Sequence, residues 1–204
     1  VNRRAFLVGA GATLAGAAIS NRAMGQSVAS NAGHRGRGNP IAVATYSFWR
    51  FKRDMKMPIV ECIDHAARMG FDGVDILLIQ MDDQSKAALN KIKRHALING
   101  LDLCCMSTHQ GFVSPDADRR QKNVDLTISQ IEIAYQLGVP IVRINTGRWG
   151  TSGNFDELMA NRGIEPVLPG HTEDEGFKWV IDAIEKCLPK AEAVSYTHLT
   201  LPTK

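Results

Sequence analysis

Between residues 40 and 193, four short apolar runs alternate with four longer segments of helical periodicity. This alternation constrains the architecture more than any other feature of the chain. The first run spans residues 41–48, where Val43, Thr45 and Tyr46 suit a strand. Pro58 then opens a helix as a first-turn proline, with Ile59, Cys62, Ile63, Ala66 and Met69 on its inward stripe and Gly70 at its end. A second strand is predicted over residues 73–79. Ser85 caps the next helix, which turns Leu89, Ile92, Ala96 and Leu97 inward and closes at Asn99 and Gly100. Residues 101–107 form a third strand. Ser114, Pro115 and Asp116 start a helix with Val124, Ile128, Ile131, Ala134 and Tyr135 inward, closed by Gly138. Residues 140–145 are the fourth strand. Thr172 and Glu175 make a capping box, and the helix after them buries Phe177, Val180, Ile181, Ile184 and Leu188.

Near-continuous apolar strands separated by amphipathic helices describe a parallel sheet covered by helices, so the class is α/β. A doubly wound sheet and a (β/α)8 barrel both fit this pattern. The barrel needs roughly 250 residues, and residues 40–193 have room for about half of one.

The two ends read differently from the middle. Asn2, Arg3, Arg4, Ala5, Phe6 and Leu7 precede a small-residue apolar run, and polar residues follow. A basic start, a short apolar middle and a small-residue finish describe an export signal. Arg3 and Arg4 followed by Phe6 and Leu7 resemble the twin-arginine class, which carries folded proteins. The expectation is a signal peptide over residues 1–29, a linker over 30–39, and an exported, extracytoplasmic bacterial protein. The apolar run is short of the roughly 20 residues a bilayer span needs, so no stable membrane span is expected after cleavage. At the other end, residues 194–204 read Val-Ser-Tyr-Thr-His-Leu-Thr-Leu-Pro-Thr-Lys and resemble a translated sequencing adapter. They are expected to be foreign to the protein.

Charge follows the same division. The chain has 24 Lys+Arg and 21 Asp+Glu, but residues 1–40 contribute five arginines and no acid. The rest therefore carries 19 basic against 21 acidic residues. A nucleic-acid-binding domain is ordinarily basic, so nucleic acid is not an expected partner. The four cysteines lack a C-x-x-C spacing and read as free, buried thiols rather than a metal knuckle.

Five short motifs occur in order: Ala44-Thr45-Tyr46-Ser47-Phe48, Gly70-Phe71-Asp72-Gly73-Val74-Asp75, Ser107-Thr108-His109, Leu137-Gly138-Val139-Pro140 and Val142-Arg143-Ile144-Asn145. Together they resemble the xylose-isomerase-like TIM barrels, the superfamily of sugar-phosphate isomerases and epimerases. The resemblance covers residues 40–193 and implies the amino-terminal half of a barrel, an incomplete (β/α)8 fold with about four βα units. The stretch from Glu175 to Glu192 resembles the helix that leads into the family's fifth strand.

Barrel sites form at the carboxyl ends of strands. Those ends present Tyr46 and Trp49, Asp75, His109, and Arg143 with Asn145. His109 is the candidate catalytic residue, because an imidazole there can bond a sugar hydroxyl or move a proton near neutral pH. The bland alternative is a histidine held by a backbone partner. Arg143 either holds an anionic or polyhydroxyl substrate through its planar fork or pairs with Asp75 inside the mouth. Tyr46 and Trp49 either stack on a sugar face or pack into the core. Asn145 bonds substrate or a loop. The basic run Arg50, Lys52 and Arg53 reads as a solvated loop.

The resemblance further implies one divalent metal held by carboxylates and a histidine of later strands, polarising a carbonyl–hydroxyl pair. No residue present is assigned as a ligand. The expected function is an exported sugar isomerase or epimerase acting on a small sugar. Residues 40–193 by themselves are expected to be inactive. Two alternatives remain: a non-catalytic sugar-binding barrel and an abasic-site endonuclease-like barrel.

Overall fold

The computed structural model describes residues 39–52 and 54–194. Arg3 and Arg4, the leader, most of the linker, Arg53 and residues 195–204 lie outside the described residues.

The elements alternate as the pattern requires. They are β1 (Ala42–Ala44), α1 (Tyr46–Trp49), α2 (Ile59–Met69), β2 (Gly73–Leu77), α3 (Lys86–Asn99), β3 (Asp102–Ser107), α4 (Ala117–Leu137), β4 (Val142–Arg143), α5 (Phe155–Ala160) and α6 (Glu173–Ala193). A single 3-10 turn, Leu78–Gln80, follows β2. The strands lie side by side in chain order and every pair is parallel. This is the arrangement of a partial (β/α)8 barrel.

Local chemistry sets the helix boundaries. Ser85 Oγ accepts from Ala88 N, Asp116 from Asp118 N and Arg119 N, and Thr172 with Glu175 forms the complete capping box. Helices α2, α3 and α4 end at Gly70, Gly100 and Gly138, with φ of 81°, 70° and 72°. Glycine reaches that left-handed region without a Cβ penalty. The apolar residue after each glycine, Phe71, Leu101 or Val139, bonds back to a carbonyl of the last turn and packs against the core.

Val74 and Ile76 of β2 and Met106 of β3 pack under Ile63, Ala66, Leu89, Ile92, Ala134 and Leu137 of the covering helices. Ile63, Val74 and Ile76 are fully buried. Each such side chain stabilises the fold by about 1.5–3 kcal/mol. A second cluster joins Phe112, Val124 and Ile131 to Ala183 and Cys187, seating α6 on α4.

One irregularity in the sheet sets which way β3 faces at its end. Val74 pairs with Leu103, but Asp75 pairs with Cys105, so one extra residue enters β3. Leu103 packs against the helix-side core. In an unbroken strand Ser107 would share its face, because side chains alternate with period two. The bulge shifts the phase and turns Ser107 to the opposite face, with Asp75.

Several expectations need correction. The first strand stops at Ala44 rather than Phe48. Thr45 Oγ1 accepts from Leu77 N at 2.9 Å, and the chain then turns into α1, so Tyr46 and Trp49 sit on a helical turn. Pro58 is the residue before α2, with ψ of 145°, not its first helical residue. Strands β2 and β4 are shorter than expected. Met69, Leu97, Tyr135, Phe177 and Ile181 are exposed. On α6 the buried stripe runs through Gly176, Ala183 and Cys187, which rotates Phe177 and Ile181 outward. All four cysteines are free. Burial raises the Cys62, Cys105 and Cys187 thiols to about 11, which leaves them inert near neutral pH. Among the described residues no helix is long and apolar enough to cross a membrane.

Candidate functional site

Asp75, Ser107 and Arg143 lie on the sheet face away from the helices, one on each of three adjacent strands. Val74, Met106 and Val142, their chain neighbours, pack toward the helices. Ser107 Oγ donates to Asp75 Oδ2 at 2.7 Å and accepts from Arg143 Nε at 3.0 Å. Asp75 and Arg143 therefore meet through a hydroxyl. Neither reading of Arg143 anticipated this bridge. The other carboxylate oxygen, Asp75 Oδ1, is buried with no hydrogen-bond partner.

His109 follows two residues beyond Ser107. Loss of hydration, and then the nearby Arg143 charge, lower its pKa below the ordinary 6.5. The imidazole is thus mainly uncharged at neutral pH and able to accept a proton. Its ring meets Phe51 edge-on, with centroids 5.6 Å apart. Tyr46 and Trp49 pack on the same Phe51 ring at 5.2 and 4.8 Å. Phe51 thereby connects the two expected aromatics to His109. Phe51 and Arg50 both hold positive φ, 54° and 53°, which is costly for side chains with a Cβ. Asn145 is half-buried two residues past β4 and is not tied into this set.

Beneath this mouth, Thr108 anchors the β3 end. Its Oγ1 lies 2.6 Å from Gln110 Oε1 and 2.9 Å from the Arg143 carbonyl, sharing one proton between two acceptors. Gly111 and Gly147 touch where the two loops cross, and Phe112 N donates to Thr146 O at 2.8 Å.

Sequence reasoning missed two residues of the site and one supporting cluster. Ser107 stood in the Ser107-Thr108-His109 motif, but its facing depended on the bulge. Phe51 carried no signal, since its placement follows from the strained turn. The cluster is the anchor of the β4–α6 connection. Trp149 packs on Trp179 at 5.8 Å and on His171 at 6.5 Å, and the Arg120 guanidinium lies 4.9 Å over Trp179. His171 is therefore part of an aromatic anchor, meeting Trp179 edge-on at 5.3 Å. The Glu165 side chain, 6% exposed, accepts from Gly150 N and Ser152 N at 2.9 and 3.0 Å. Burial pushes its carboxyl up, but those N–H groups and Arg148 outweigh burial and leave it below the usual range.

The implied metal can be tested against these residues. Among the described residues, no three His, Cys, Asp or Glu side chains are grouped to hold an ion. Asp75 Oδ2 is bonded to Ser107 and Oδ1 is enclosed, and Arg143 nearby opposes a cation. The described residues do not fit a divalent metal, and none of their chemistry is routed through one.

Residues 63–196, more than half of the chain, match the family model described as xylose isomerase-like TIM barrel. The chain belongs to that family. Among solved structures, this barrel is similar to a D-psicose 3-epimerase in the presence of D-fructose, with 16% identity and a TM-score of 0.56. It is also similar to the D-psicose 3-epimerase of Clostridium cellulolyticum H10 with D-tagatose, at 20% identity and a TM-score of 0.53. In both cases the likeness covers 76% of this chain and 50% of the other. Protein SMc04130 from Sinorhizobium meliloti 1021 shows 20% identity over 76% of this chain and 48% of its own, with a TM-score of 0.50. The chain thus spans about half the length of the solved structures it matches. At these identities the likeness establishes the fold alone. No curated protein matches the chain in sequence.

Proposed function

We propose that residues 40–193 form the amino-terminal half of a sugar isomerase or epimerase of the xylose isomerase-like barrel family. One observation carries the reading: Ser107 bridges Asp75 to Arg143 across the ends of three adjacent parallel strands, two residues before His109. In this reading His109 takes a proton from the carbon next to a sugar carbonyl. Asp75 fixes Arg143 through Ser107, and Arg143 donates to an oxygen of the same substrate. Phe51, with Tyr46 and Trp49 behind it, covers the C–H face of the sugar. The D-psicose 3-epimerases among the structurally similar proteins support a ketohexose as the first substrate to try.

On the same reading, the remaining strands and any metal ligands belong to chain that continues after Ala193. Reading the locus from source DNA across the Ala193 codon is expected to give a longer frame with a glutamate-bearing strand. The protein from that frame is then assayed for epimerisation of D-fructose and D-psicose, with and without chelator. Turnover abolished by chelation supports a metal-dependent epimerase. Sugar binding without turnover would establish a binding barrel instead. Export through Arg3 and Arg4 is part of the proposal. Replacing both with Lys is expected to retain a folded reporter inside the cell, and undiminished export would refute that route.

A further inference from the structure

Arg143 stands on a two-residue strand, and its side chain is exposed. An arginine in that setting ordinarily samples many rotamers. Among the described residues one hydrogen bond restrains it: Ser107 Oγ accepts from Nε, the inner nitrogen of the guanidinium. The engagement leaves both terminal nitrogens for other acceptors. The same Ser107 oxygen gives its one proton to Asp75 Oδ2, so the hydroxyl is committed on both sides. Ser107 is 4% exposed and cannot turn to water instead. A hydroxyl that donates to a carboxylate becomes a better acceptor, so the two bonds reinforce each other.

The arrangement has a consequence for ligand chemistry. A direct, two-pronged ion pair between Asp75 and Arg143 would use the donors and acceptors of both groups on each other. The intervening hydroxyl uses one carboxylate oxygen and one guanidinium nitrogen. What remains are the terminal nitrogens of Arg143 as donors, while Asp75 Oδ1 is enclosed, with the Cys105 thiol against the same carboxylate. Two such donors suit the carbonyl and hydroxyl oxygens of neighbouring carbons, the grouping that an epimerisable ketose carries.

We propose that Ser107 is a positioning residue that holds Arg143 off Asp75 and keeps the guanidinium donors turned to the carbonyl–hydroxyl edge of the sugar. Only the identity of the ligand rests on the sugar-active reading; the positioning stands on geometry. The bulge in β3 is what makes it possible, because without the extra residue Ser107 faces the helices.

The test has an arm that does not depend on turnover. The imidazole of His109 is titrated by NMR in the 204-residue chain and in three variants: Ser107→Ala, Ser107→Thr and Arg143→Gln. Removing the guanidinium in Arg143→Gln is expected to move the His109 midpoint upward. Ser107→Ala is expected to move it in the same direction, because the released guanidinium drifts from the imidazole. Its Arg143 Nε–H signal should also exchange faster with water. Ser107→Thr keeps the hydroxyl and should hold both near the parent values. A Ser107→Ala midpoint equal to the parent, while Arg143→Gln shifts, would overturn the proposal. So would a threonine variant that behaves like alanine while melting at the parent temperature. In the longer protein, Ser107→Ala should raise KM for the ketohexose about tenfold, the scale of one charge-assisted hydrogen bond. Absence of ketohexose turnover in the parent refutes the sugar reading but leaves the NMR result to decide the positioning role.

Discussion

His109 meets the ring of Phe51 edge-on, with centroids 5.6 Å apart and planes at 88°. Phe51 reaches that position from a backbone φ of 54°, directly after Arg50 at 53°. A residue with a Cβ costs about 1–2 kcal/mol in that region. Strain of this kind persists where surrounding contacts hold it, often beside a site. Phe51→Gly relieves the strain but makes the unfolded chain freer, so those two effects nearly offset and the lost contacts with Tyr46, Trp49 and His109 remain. Stability is expected to fall by about 1 kcal/mol, the scale of an exposed aromatic contact. Loss of the ring should raise KM for the sugar by up to about tenfold, the scale of one aromatic contact. Urea unfolding and initial-rate kinetics on the longer protein check the two numbers. A large loss of stability with an unchanged KM would make Phe51 a packing residue only.

His109→Ala separates chemistry from structure. For a residue that moves a proton, turnover in the longer protein should fall by about 100-fold, with the melting temperature nearly unchanged. A merely structural histidine would give the reverse pattern: a lower melting temperature and full turnover in the folded fraction. Both quantities are measured on the same purified variant.

The lowered pKa of His109 also has a signature in stability. The unfolded chain takes up a proton on this histidine near 6.5, and the folded chain does so only at lower pH. Above 6.5 both states are neutral there and His109 adds no pH dependence. As pH falls through 6.5 toward the lowered folded value, the unfolded state binds more protons and the fold loses stability. His109→Gln cannot titrate. The stability difference between variant and parent should therefore move in favour of the variant between pH 7.5 and pH 5, about the span of the His range. Equal differences at the two pH values would show that the histidine pKa is the same folded and unfolded.

Two glycines of the loop after β4 make a controlled pair. Gly147 has φ of 94°, and a Cβ there would lie 2.8 Å from Gly111 Cα and 3.0 Å from Phe112 N. Gly150 has φ of 75°, with nothing within 4 Å of the same added atom. Gly150→Ala should cost about 1 kcal/mol, the left-handed penalty alone. Gly147→Ala adds a clash with backbone that cannot rotate away, so it should cost more, by about 1–3 kcal/mol. It should also weaken sugar binding, because the β3 and β4 loops must separate. Equal melting temperatures for the two variants would contradict the close approach.

Much of the frame is local, and local chemistry is legible in a chain. Ser85, Asp116, Thr172 with Glu175, and the three glycines closing α2, α3 and α4 act within a few residues of themselves. The order of strands and helices follows from that punctuation, and the parallel sheet from the apolar strands between. Periodicity located the apolar stripe of each helix but not its centre. Leu97 and Phe177 therefore read as inward, yet they are 79% and 58% exposed. Which flank of a stripe is covered depends on the neighbouring helix, and that neighbour is set by packing.

The sequence by itself determined the class, the element order, the helix caps and the candidates at the strand ends, because each rests on short-range rules. The tertiary structure decided which candidates meet. Ser107 joins Asp75, 32 residues earlier, to Arg143, 36 residues later, and that junction exists only in the sheet register. One inserted residue in β3 turns the serine to the working face, and a bulge is a property of two paired strands, not of one. The facing of Ser107 and the reach of Phe51 to His109 were thus settled by long-range pairing and a strained turn, neither of which leaves a periodic mark in the chain.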